Sequence, residues 1–104
     1  MTKRFFEAST IPLVVAASIA SANSFTEAVE FDARKPFNVS VSGTFSATVA
    51  LQRSFDAGTT WLSVWTTTSA AELLVDTTEP GVLWRLGVRL GDYASGTVVA
   101  RISQ

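Results

Sequence analysis

After residue 25, apolar and polar positions alternate along most of the chain, with the two-residue period of a half-buried strand. Phe37, Val39 and Val41 alternate with Asn38, Ser40 and Ser42, which predicts a strand ending at Gly43. Phe45, Ala47, Val49 and Leu51 repeat the pattern as far as the turn at Asp56-Ala57-Gly58. Shorter candidates are Ala28 to Asp32, closed by Arg34-Lys35-Pro36, then Trp61 to Thr67 and Glu72 to Thr77. Glu79-Pro80-Gly81 is a strong turn signal. In the last stretch Val82, Trp84, Leu86, Val88 and Leu90 face one way, and Arg85, Gly87 and Arg89 the other. With Gly91 to Gly96 as a loop, Val98, Ala100 and Ile102 predict the return strand of a long hairpin. About seven strands at this spacing predict an all-β domain, a single antiparallel β-sandwich of jelly-roll or immunoglobulin-like type.

The segment before residue 26 differs. Lys3 and Arg4, the apolar run Ile11 to Ala20 and Ala20-Ser21-Ala22 imitate a secretory signal. Phe5, Phe6 and Glu7 directly after the basic pair, and Pro12 at the start of the run, argue against it. The run is also too short to cross a bilayer as a helix. We expect residues 1–25 to be an arm and residues 26–104 the sandwich. The arm either covers the domain's own core or docks on a neighbouring subunit, and Phe5, Phe6, Ile11, Leu13, Val14 and Val15 are its candidate contacts.

Composition narrows the chemistry. The chain has no histidine, so the commonest general base and transition-metal ligand are both missing. It has no cysteine and therefore no disulfide framework. A net charge of −1 gives no general reason to expect a nucleic-acid partner. Glu27, Glu30 and Asp32 alternate loosely, which suits a solvated strand face better than a catalytic cleft. We expect no enzyme activity and no cofactor; calcium at Asp56 or Asp92 would require other oxygens to converge there.

Ser54-Phe55-Asp56-Ala57-Gly58-Thr59-Thr60-Trp61 matches the Asp-box pattern S-x-D-x-G-x-T-W. Its logic is local. The Asp accepts bonds from backbone N–H groups ahead of it, the Gly takes a positive φ, and the Trp opens the next strand. The pattern resembles that of sialidases and other β-propellers, whose boxes lie away from the active site. A chain this short has room for one box and no propeller, so Ser54, Asp56, Gly58, Thr60 and Trp61 are expected to be structural.

A second resemblance covers more of the chain. Phe37 to Phe45, Val49 to Asp56, Trp61, Pro80 to Val88 and Ser95 to Gln104 are similar to a pattern in small virion proteins of tailed bacteriophages. The resemblance implies a capsid decoration protein, or a head or tail accessory. Its partners would be the major capsid protein or other virion proteins, with repeated copies or a homo-oligomer, and neither nucleic acid nor membrane. Arg85, Arg89 and Arg101, expected to line up on the outward face of the last hairpin, are candidate contacts to an acidic partner surface. Two alternatives remain at this point. One is a carbohydrate- or receptor-binding module of a head or tail fibre, using Tyr93 and Trp65; the other is a secreted bacterial sandwich.

Overall fold

The computed structural model describes residues 13–76 and 79–104. Phe5, Phe6 and Ile11, and Thr77 at the end of one predicted strand, lie outside these residues. Among these residues seven strands form one antiparallel sheet: β1 (Val14–Ile19), β2 (Ser24–Phe25), β3 (Val29–Glu30), β4 (Phe37–Ser54), β5 (Leu62–Thr67), β6 (Ala71–Val75) and β7 (Leu83–Ser103). The all-β antiparallel class read from the alternation is the one found.

Two strands dominate. β4 pairs with β7 from Asn38↔Ser103 to Ser54↔Leu83. On the far side of β4, β6 covers residues 37–41 and β5 covers residues 49–53. On the far side of β7, β1 covers residues 98–103, while β2 and β3 cover residues 83–88.

A straight strand from Phe37 to Arg53 would span about 50 Å. Trp84 lies opposite Arg53, yet its ring centroid is 4.9 Å from that of Phe37. The sheet therefore doubles back, and its two ends face each other as leaves. The first leaf comprises β1, β6 and the stretches 98–103 and 37–42. The second comprises β2, β3, β5 and the stretches 83–88 and 49–54. Because both leaves share β4 and β7, they remain one hydrogen-bonded unit.

The doubling corrects three strand readings. Gly43 does not end a strand: it sits inside β4 with φ +100°, paired with Val98. Residues 82–90 and 98–102 do not form a hairpin, because they are successive parts of β7 and both pair with β4. The stretch 91–96 is not a loop; the register shifts between Ser46 and Ala47 and again between Ala47 and Val49. Extra residues on one strand increase bend and twist, which is what a fold-over needs. Gly43 and Gly96 sit close to the opposite strand, and a Cβ on either would collide with the Thr97 or Thr44 carbonyl.

Between the leaves lie Phe37, Val39, Val41, Val49, Leu51, Trp84, Leu86, Val88, Val98, Ala100 and Ile102, all buried. Phe31 stacks on Phe37 at 4.4 Å and extends this core toward the chain's first turns. Leu90 breaks the pattern. Alternation places it inward with Val88, but the register shift between Ala47 and Val49 resets the phase and leaves it 80 % exposed.

The boundary expected after residue 25 does not coincide with a break in the sheet. β1 joins the first leaf, with Ile19 buried and Val15 and Ala17 packed on the core. The described part of the expected arm, from Leu13 onward, is built into this domain. Val15 is accordingly a core contact here, not a free partner contact. Gln104 locks the closure: its side chain donates to the carbonyls of Asp32 and Lys35 at 2.8 and 3.0 Å and accepts from the Asp32 N–H at 2.8 Å.

Candidate functional site

The Asp-box residues form the turn their pattern specifies. Asp56 Oδ1 accepts from the Ser54 hydroxyl and from the Thr60 N–H, each at 2.7 Å. Ser54 Oγ in turn accepts from the Gly58 N–H at 2.9 Å. These donors, the Thr60 N–H foremost and the Ser54 hydroxyl next, hold the Asp56 carboxyl at about 2. Ala57 and Gly58 both take positive φ, at 60° and 93°. A carboxylate occupied in this way is a turn clamp.

The turn also delivers Trp61 to the outer face of the second leaf. There the Arg85 guanidinium lies 4.2 Å from the Trp61 ring centroid and 3.8 Å from that of Phe25. It is sandwiched between two aromatic faces, a favourable cation–π geometry. Arg85 Nε donates to Gln52 Oε1 at 2.8 Å, and Gln52 Nε2 donates to Ser63 Oγ at 3.1 Å. Phe25 can lie flat there because Gly87 has no side chain; a Cβ would strike Ser24 and Phe25. Spacing along the sequence gave no sign of this stack.

The three arginines do not make one patch. Arg85 is consumed by the stack. Arg89 pairs with Asp92 across the bulge at 2.7 Å. Arg101 lies on the other leaf, opposite Ser40, with one bond to Ser103 at 3.2 Å. Only Arg101 remains an exposed cation on an otherwise available face.

That face is the outer surface of the first leaf. Across the strands run Leu74, Asn38, Ser103 and Val14; beside them run Glu72, Ser40, Arg101 and Ala16; Ser42, Val99 and Ser18 follow. Most of these side chains are short, so the surface is flat. Leu74 is 63 % exposed, and Val14 and Val99 are exposed as well.

The remaining candidates are placed separately. Asp32 is clamped by Arg34, whose guanidinium bonds hold its carboxyl at about 2. Glu30 accepts from the Gly81 N–H at 3.1 Å. Among the described residues no three acids gather where a metal would sit. Tyr93 lines an open groove of about 430 Å³ at the fold-over, together with Phe45, Thr48, Thr68 and Asp92. Its hydroxyl donates to the Gly96 carbonyl at 2.8 Å. Trp65 is not in this groove; it packs against the core. Arg53, which no sequence pattern singles out, lies 4.9 Å from the exposed Phe55 ring, and its Nε is buried without a hydrogen-bond partner. Comparisons with protein-family models, with curated proteins and with solved structures return no match.

Proposed function

We propose that this chain is a non-enzymatic structural protein of a tailed-phage virion, most simply a capsid decoration protein that attaches through the outer face of its first leaf. The observation that carries the reading is the contrast between faces. The second leaf also exposes Leu62 and Val64, but the polar groups of its outer face are tied into the Phe25–Arg85–Trp61 stack, whereas the first leaf presents a field of short, sparsely bonded polar side chains edged by Leu74, Val99 and Val14. The similarity of Phe37 to Gln104 to small virion proteins supports the same reading. Attachment to the assembled shell alone would stabilise that shell by mass action.

Quantitative mass spectrometry of purified virions tests this. The chain should be present at a fixed copy number per capsomer, and shells lacking it should melt earlier. Absence from purified virions overturns the reading.

A second reading is favoured by one observation, the groove beside Tyr93. Two aromatic rings, Phe45 and Tyr93, with Asp92, Thr48 and Thr68 give the mixed lining that suits a sugar. A glycan array with one competable hit, lost in Tyr93→Ala, would favour a carbohydrate-binding module over the decoration role.

A further inference from the structure

The edges of the sheet are not equally protected. An unpaired edge strand templates association with another chain, and charge, proline, bulges and shortness are the usual defences. β2 and β3 are two residues each. β5 is broken by the bulge between its partners Leu51 and Gln52, and β6 carries Glu72. β1 has none of these defences. Its six residues, Val-Val-Ala-Ala-Ser-Ile, contain no charge and no proline, and they pair with β7 without a register shift.

The ladder shows which of its backbone groups have no partner among the described residues. Leu13 and Gln104 exchange both backbone bonds, at 3.2 and 2.9 Å. Antiparallel pairs alternate between bonded and non-bonded, so residues 15, 17 and 19 bond to β7. The N–H and C=O groups of Val14, Ala16 and Ser18 point away from the sheet.

We infer that β1 pairs antiparallel with β1 of a second copy of this chain, about a two-fold axis at Ala16. The free groups match themselves: Val14 meets Ser18, Ala16 meets Ala16 and Ser18 meets Val14. Three mutually bonded pairs give about six hydrogen bonds. No charge lies at the seam. Arg101 is one strand in on each copy, so the two guanidinium-bearing positions stand about 14 Å apart, beyond a Debye length at physiological salt. A foreign strand is a poorer occupant, because strand addition draws its specificity from side-chain pockets beside the new strand. Next to β1 the outer face carries the exposed Arg101 and Val99 beside the buried Ser103, backed by Asn38, Ser40 and Ser42, and the groove beside Tyr93 lies elsewhere, at the fold-over. The paired copies form one continuous leaf with four strands from each. This goes beyond the virion reading and stands or falls without it.

Sedimentation equilibrium on the full chain should show a reversible dimer. In Ala16→Cys the two sulfurs fall on a mutually bonded pair with Cα atoms about 5.5 Å apart, within disulfide reach, so oxidation should give a covalent dimer. Ser42→Cys, on the same face but two strands in, should not crosslink. Ala16→Pro removes an N–H that β7 does not use; it should keep the circular dichroism spectrum and weaken the dimer at least about tenfold. Ser18→Pro makes the same test should position 16 not tolerate the ring. A chain that stays monomeric up to about 1 mM overturns the inference. So does undiminished dimerisation of both proline variants, or crosslinking of Ser42→Cys as efficient as that of Ala16→Cys.

Discussion

The two leaves share their long strands and core but treat their outer faces in opposite ways. In the second leaf, Gln52 and Arg85 are tied to each other and to Phe25, Trp61 and Ser63. In the first, the side-chain bonds seen on the outer face among the described residues are Ser40 to Glu72 and Arg101 to Ser103. A face whose polar groups already have partners gains little from a visitor, because new bonds replace old ones. A flat, sparsely bonded face with exposed Leu and Val keeps its surface in reserve. The difference teaches where the proposed attachment should be sought: on the leaf without the Arg85 stack.

The comparison can be broken most severely at what the leaves share. Trp84→Ala removes the ring that meets Phe37 across the core and should cost about 3–5 kcal/mol. Amide exchange should show residues 37–42 and 49–54 losing protection together. Loss confined to the second leaf would mean that the leaves unfold separately.

The next largest effect belongs to the second leaf alone. Arg85→Ala should cost about 1–3 kcal/mol in chemical denaturation, since it empties the aromatic sandwich and strands Gln52 Oε1. Arg85→Lys should recover only part, because an ammonium lacks the planar stack. Burial already draws the Arg85 pKa down, so the site holds its charge by its rings and amide rather than by a carboxylate.

A smaller, pH-dependent effect should come from the turn. Asp56 sits at about 2 in the folded chain against an ordinary 3.8, so its contribution is present above pH 4 and is lost as pH falls toward 2. Asp56→Asn should lower Tm by a few degrees at pH 7 and converge with the parent in acid. Asp32 titrates in the same range, so the difference between parent and variant is the informative curve.

The smallest stability effect is expected on the first leaf. Leu74→Ser and Val99→Thr should change unfolding free energy by less than about 0.5 kcal/mol. If the proposed decoration role holds, their occupancy on virions should nonetheless fall, and retention at parental occupancy would move the proposed attachment face elsewhere.

Much of this architecture was legible as alternation. Phe37, Val39, Val41, Leu51, Trp84, Leu86, Val98 and Ile102 fall on the apolar side of the alternation, and all are buried. Continuity was not legible. A glycine at positive φ closes a hairpin or sits in a bulge with the same local signature, so Gly43 and the 91–96 stretch read as strand ends. The turn at Asp56 was readable because its bonds span a few residues. The Arg85 stack was not, since its rings come from Phe25 and Trp61, brought together only when the sheet forms.

The sharing of β4 and β7 also bears on how the chain reaches this state. Their partners are separated by 29 residues at Ser54↔Leu83 and by 65 at Asn38↔Ser103. Loop closure favours the nearer pair by about 0.7 kcal/mol, and the first contacts need only the stretch carrying β5 and β6 to be looped out. We expect pairing to start beside the Asp-box turn and run toward the termini, slowed where the register shifts. Substitutions in residues 49–54 should then give higher φ-values than those in residues 37–42. The first leaf, the one proposed to meet other molecules, would be the last part of the chain to take shape.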